Sequence, residues 1–190
     1  MIVEDEPFLL GMYAARLEDS YTIETATTGT EAIEYLFDNE TPVPDVVLLD
    51  RRMPGLSGDK VLYRIRDRGL DCRVAMITAI EPDADIVDME FDAYLIKPVR
   101  ERELRSLVES LFERRALEDR MQELFSITSR LIALEQTGYI DIVENDPEYL
   151  ALKERKAELE AETDSRLETL LSDQTRARLL YCDLLSRYKE

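Results

Sequence analysis

Val46-Val47-Leu48-Leu49-Asp50, followed by Arg51-Arg52-Met53-Pro54-Gly55-Leu56-Ser57-Gly58, decides the fold of this chain. Four consecutive apolar residues, two of them β-branched, lie between Pro42 and Pro44 on one side and Pro54, Gly55 and Gly58 on the other. That pattern predicts a short strand buried on both faces, as in a parallel sheet. Open parallel sheets bind ligands outside the carboxyl ends of their strands, which is where Asp50 stands. A lone Asp at such a place more often caps the next turn, so the functional case rests on its companions.

Working outward, Met1 to Val3 is a β-prone start closed by Glu4-Asp5-Glu6-Pro7. Pro7 opens a helix with Phe8, Leu9, Met12, Tyr13 and Leu17 at helical spacing. Tyr21 to Ala26 alternates as a second strand, and Gly29-Thr30 leads into a helix carrying Ala32, Ile33, Leu36 and Phe37. After the Val46–Leu49 strand comes a helix with Val61, Leu62 and Ile65, stopped by Gly69. Arg73 to Thr78 is a fourth strand, Glu81 to Phe91 an acidic helix, and Ala93 to Ile96 a fifth strand ending at Lys97-Pro98. Strands alternating with helices predict an α/β fold with a five-stranded parallel sheet covered on both faces. Right-handed crossovers put every strand's carboxyl end on one edge. That edge collects Glu4 and Asp5, Asp50, Thr78 and Lys97.

Carboxylates crowded there repel and require a cation. An all-oxygen cluster suits Mg²⁺, which bridges readily to a phosphoryl oxygen. With the acids neutralised, an Asp carboxylate can attack a phosphoryl donor and become an aspartyl phosphate. Lys97 then holds one phosphoryl oxygen and the Thr78 hydroxyl donates to another.

These residues together resemble the receiver domain of two-component response regulators, a flavodoxin-like fold. Glu4-Asp5 is similar to the family's acidic pair, Asp50 to its phosphoacceptor and Met53-Pro54-Gly55 to the turn after it. Thr78 is similar to the switch hydroxyl, Tyr94 to the switch aromatic and Lys97-Pro98 to the Lys-Pro dipeptide. The resemblance implies that Asp5, Asp50 and the backbone carbonyl of Arg52 bind the metal, beside Glu4, and that the bond before Pro98 is cis. Strand one has only three residues before its acids, an expectation that the chain is trimmed at its start. Arg52 and Ile80, two positions after the acceptor and the switch Thr, flank the phosphoryl site.

Composition narrows the partners. With 42 acids against 24 bases the net charge is −18, and both halves of the chain are acidic. Direct nucleic-acid binding is therefore not expected, because phosphate contacts need a basic face. Arg outnumbers Lys 19 to 5, which with the acidic surplus resembles the habit of halophilic archaea; the alternative is an ordinary acidic protein. Cys72 and Cys182 lie far apart and are expected to be free thiols in a reducing, cytoplasmic setting. No stretch is long and apolar enough for a membrane span. The acidic surplus carries an expected result: thermal stability rises as KCl approaches the molar range, since the Debye length falls to about 3 Å at 1 M and self-repulsion is screened. A melting temperature that fell with KCl would remove the halophile inference.

The division expected is a receiver over 1–113 and an all-α domain over 114–190. Val99 to Gln136 has neither Gly nor Pro, and a helix that long extends roughly 55 Å. Leu104, Leu107, Val108 and Leu111 can face the sheet. A second apolar stripe runs Leu117, Met121, Leu124, Phe125, Thr128, Leu131, Ile132, Leu134. Gly138 is a plausible stop, and Asp146-Pro147 opens another helix that runs to about Tyr188. The expectation is a helical hairpin, or a coiled coil between two chains. Glu148 to Glu160 resembles the HalX domain found after receivers in haloarchaea.

The expected function is thus a response regulator rather than an enzyme. Mg-dependent phosphotransfer from a histidine kinase to Asp50 switches the receiver surface and signals through the C-terminal helices to an output protein, regulating transcription by protein contacts. The chain has no His, so the kinase is a separate partner. Homodimers are expected through the fourth helix, fifth strand and fifth helix, or through the C-terminal helices. An aspartate-nucleophile phosphatase would carry a second Asp two positions after its nucleophile as general acid, where this chain has Arg52. A scaffold that never takes phosphate is the third alternative.

Overall fold

Five short strands, Ile2–Val3 (β1), Thr25–Ala26 (β2), Val46–Leu49 (β3), Arg73–Thr78 (β4) and Ala93–Ile96 (β5), form one parallel sheet in the order β2-β1-β3-β4-β5. This computed structural model describes residues 1–80, 86–136 and 145–172. Two compact units divide the chain, Met1–Phe112 and Glu113–Glu190.

In the first unit the period-two alternation of each strand sorts its side chains between two cores. Val47 and Leu49, with Val3, Val74 and Met76, pack on Ala32 and Leu36 of α2 (Gly29–Leu36) and on Val61, Leu62 and Ile65 of α3 (Gly58–Asp67). On the other face Val46 and Leu48, with Ile2, Ala75 and Ile77, pack on Leu10, Tyr13 and Leu17 of α1 (Pro7–Leu17). The same cluster takes in Leu104, Leu107, Val108 and Leu111 of α4 (Glu101–Gln136). Burying each such side chain contributes about 1.5–3 kcal/mol, which is why a strand of only four residues can anchor the sheet.

Two expectations are corrected. The second strand is Thr25–Ala26 rather than Tyr21–Ala26, because its partner β1 is itself two residues long. Tyr21 instead stacks on Phe112, ring centroids 5.4 Å apart. Of the acidic helix expected over Glu81–Phe91, residues 81–85 lie outside those described, and from Ile86 the chain makes a short turn, with Met89 N donating to Ile86 O (3.1 Å). The carboxylate of Asp92 then accepts from Val74 N and Arg66 Nη2 (2.7 Å each) and from Arg73 Nη1 (2.9 Å). That network ties the start of β5 to β4 and α3.

In the second unit, α4 from Glu113 onward packs with α5 (Pro147–Ser172). Arg120 pairs with Glu162 and Glu123 with Arg155, while Ile127 and Leu131 cluster with Tyr149 and Leu159. Ascending positions on α4 meet descending ones on α5, so the pair is an antiparallel hairpin. Asp146 caps α5 by accepting from Glu148 N (2.8 Å). Ile127, which the expected stripe omits, is buried in the seam, whereas Met121, Phe125 and Ile132 are exposed. Gly138, Cys182 and the stretch from 173 to Tyr188 lie outside the described residues. Among the described residues Cys72 is a free, buried thiol, and no helix is long and apolar enough to cross a membrane.

Candidate functional site

The strand order reverses between β1 and β3, and in open α/β sheets a crevice forms at that point. Glu4 and Asp5 follow β1 and Asp50 follows β3, their backbones joined by Asp50 N donating to Val3 O (2.9 Å). Carboxylate oxygens of Glu4, Asp5 and Asp50 all lie within 4.8 Å of one another. Glu4 and Asp50 are buried, and Asp5 is the most open of the three. At that separation each ionised pair repels by about 3 kcal/mol at an effective dielectric near 20.

Lys97, just past β5, offsets part of this. Its Nζ donates to Glu4 Oε2 and Asp50 Oδ2, both at 2.7 Å. The Lys97-Pro98 peptide bond is cis, and Lys97 N donates to Thr78 O (2.8 Å). The other oxygen of Asp50, Oδ1, accepts from Arg52 N (3.2 Å). Burial pushes the Glu4 carboxyl above its ordinary pKa, against the pull of the Lys97 hydrogen bond. For Lys97 burial acts to lower the pKa, but hydrogen bonds to Asp50 and Glu4 outweigh it and leave the group raised. Both folded pKa values thus exceed the unfolded ones. The Lys97 contribution to stability is complete through neutral pH and is lost only as strongly alkaline pH passes its folded pKa. That of Glu4 is complete only below its unfolded pKa and is lost as pH rises through the folded one.

The loop after Asp50 is held by close backbone approach. Gly55 has φ of 79°, a conformation other residues rarely adopt, and Gly58 N donates to Arg51 O (2.9 Å). A Cβ on Gly58 would lie 2.1 Å from Asp50 O. Arg51, buried, binds Asp59 in the first turn of α3 (3.0 and 3.3 Å). Sequence reasoning missed this pair, since an eight-residue separation across a turn leaves no periodic signal. Thr78 is buried, and its Oγ1 accepts from Ile80 N (3.3 Å). The Tyr94 hydroxyl donates to Ile80 O (2.9 Å), so the same short segment links both.

Three convergent carboxylates with only oxygen donors fit a hard divalent cation such as Mg²⁺. Asp5, free of the Lys97 bonds that engage Glu4 and Asp50, makes a direct test. Asp5→Ala is expected to weaken Mg²⁺ binding about tenfold or more by calorimetry, the scale of losing one group at a metal site. The same change should leave the metal-free melting temperature unchanged or higher, because a repelling charge is gone.

Residues 1–109 match the model of the response regulator receiver domain, and residues 113–180 that of the HalX domain. The chain is 46% identical over 162 residues to a Haloferax volcanii protein described as a candidate transcriptional regulator, covering 85% of this chain and 26% of that one. It is 31% identical over 118 residues to the alkaline phosphatase synthesis transcriptional regulatory protein PhoP of Bacillus subtilis, covering 60% and 48%. The chain thus spans half or less of the length of these curated relatives. Among solved structures it is similar to the N-terminal domain of a response regulator/sensory box/GGDEF 3-domain protein from Carboxydothermus hydrogenoformans. The TM-score is 0.52 at 29% identity, over 58% of this chain and 90% of that one. With both segments matched in order along one chain, the protein belongs to the two-component response regulator family, a receiver domain followed by a HalX domain.

Proposed function

We propose that Asp50 accepts a phosphoryl group from the phosphohistidine of a partner kinase, and that the C-terminal helices pass the change to an output protein acting on transcription. The observation that carries this reading is the setting of the Asp50 carboxylate: one oxygen at 2.7 Å from Lys97 Nζ, the other at 3.2 Å from Arg52 N, with Glu4 and Asp5 alongside. In the transfer the nitrogen–phosphorus bond breaks, its electron pair returns to the imidazole, and a carboxylate oxygen of Asp50 takes the phosphorus.

Asp5, Asp50 and the Arg52 carbonyl would hold Mg²⁺, with Glu4 beside them; bound there, the ion supplies neutralisation of the phosphoryl oxygens. Lys97 stays protonated at neutral pH and moves from a carboxylate oxygen to a phosphoryl oxygen, keeping its charge paired. The Thr78 hydroxyl, which accepts from Ile80 N, has its own proton to donate to a second oxygen. As Thr78 is drawn inward, Tyr94 takes the space it leaves, and the surface of β5 and the neighbouring helix repacks. One helix, Glu101–Gln136, supplies both the last helix of the receiver and the first of the hairpin, which gives the change a covalent route to the output. Incubation with acetyl phosphate followed by intact-mass measurement under acid quench tests the reading. One added phosphoryl group is expected with Mg²⁺, and none with a chelator.

A further inference from the structure

We infer that Arg51, through its ion pair with Asp59, is a positioning residue for the phosphoryl site. The pair sets the orientation of the peptide between Arg51 and Arg52, and with it the N–H that meets Asp50 and the carbonyl proposed to hold the metal. The inference rests on the proposed roles of Asp50 and of the Arg52 carbonyl.

Arg51 is fastened to α3 at two points. Its carbonyl accepts from Gly58 N (2.9 Å), and its Nε donates to the carboxylate oxygens of Asp59 (3.0 and 3.3 Å). Ser57, at the head of the helix, makes no side-chain capping bond, so the Arg51 carbonyl takes one of the open amides of the first turn. Asp59 lies in that same turn, where the positive end of the helix dipole favours a carboxylate. The helix thus places Asp59, and Asp59 places Arg51.

A planar trans peptide points its carbonyl and its N–H in opposite directions. The Arg51-Arg52 bond is trans, so with the Arg51 carbonyl turned to α3 the Arg52 N–H is turned away from it, and it donates to Asp50 Oδ1 (3.2 Å). Rotating that one peptide unit loses both bonds at once and carries the neighbouring Arg52 carbonyl out of place.

Stability alone is a poor reason for such a pair. The Arg51 side chain is 6% exposed and that of Asp59 42%. Burying a guanidinium costs desolvation that a half-exposed carboxylate returns only in part, and an apolar side chain fills the same space without that cost. What an apolar side chain lacks is direction, which a guanidinium facing two carboxylate oxygens has.

Asp59→Asn, at a position open to water, is expected to weaken Mg²⁺ binding about tenfold by calorimetry without a phosphoryl donor, the scale of losing a group that orients a metal's ligands. Asp59→Glu should restore most of the affinity. Arg51→Met should weaken binding as well, although on charge alone the loss of a cation beside three carboxylates would tighten it. In the metal-free protein Asp59→Asn should shift the amide resonance of Arg52. Arg73→Met removes an ion pair with Asp92 (2.9 Å) at the start of β4, and should lower the urea midpoint while leaving Mg²⁺ affinity unchanged. Unchanged affinity in Asp59→Asn, tighter binding in Arg51→Met, an equal loss in Arg73→Met or an Arg52 amide that does not move overturns the inference. Acetyl phosphate separates it from the reading beneath it. An unaltered chain that takes no phosphoryl group defeats both, whereas labelling of Asp59→Asn at the Mg²⁺ demand of the unaltered chain defeats only the role of Arg51.

Discussion

Asp50→Asn is expected to abolish phosphorylation by acetyl phosphate and modification by beryllofluoride, taking the added mass from one group per chain to background. The change is nearly isosteric. The side chain keeps an oxygen to accept from Arg52 N, and Lys97 keeps Glu4 as a partner, so the fold has little reason to respond. What disappears is the anionic oxygen proposed to attack phosphorus, for which an amide is no substitute. One of three crowded carboxylates is also neutralised, which relieves repulsion and offsets the lost ion pair with Lys97. Undiminished labelling of this variant would place the acceptor elsewhere, and a collapsed circular dichroism spectrum would show that the ion pair matters more to the fold than to the chemistry.

Gly58→Ala should have the largest effect on stability, a loss of about 3 kcal/mol or more, the upper range for forcing extra volume into a packed interior. The added methyl meets Asp50 O at 2.1 Å and the Arg51 Cα at 2.9 Å, both backbone atoms that cannot rotate away. Relief requires α3 and the end of β3 to part, which breaks the hydrogen bond from Gly58 N to Arg51 O and displaces Asp50 itself. The urea midpoint should fall sharply, and Mg²⁺ affinity with it. Gly11→Ala is the matched comparison. It sits in α1 with nothing within 4 Å of its Cβ position, and should gain up to about 1 kcal/mol from helix propensity alone. Equal midpoints for the two variants would mean that the loop yields without cost.

By itself the sequence determined what depends on neighbours along the chain. Val46 to Leu49 can only be a strand buried on both faces, because it has no polar side to turn to water and Pro and Gly close it at either end. The alternation of strands with amphipathic helices then settles a parallel sheet, and so the edge on which Glu4, Asp5, Asp50, Thr78 and Lys97 gather. Only the tertiary structure decided the rest, since those facts depend on distances between residues remote in sequence. It turned Lys97 onto Glu4 and Asp50, put Arg51 on Asp59, and brought Gly58 against the Asp50 carbonyl. It cut the second strand to the two residues that β1 can pair. It also divided the one apolar stripe of α4 into a face that α5 covers and a face left exposed, a choice that helical spacing cannot make, because residues four apart lie on one side of the helix whether or not anything packs there.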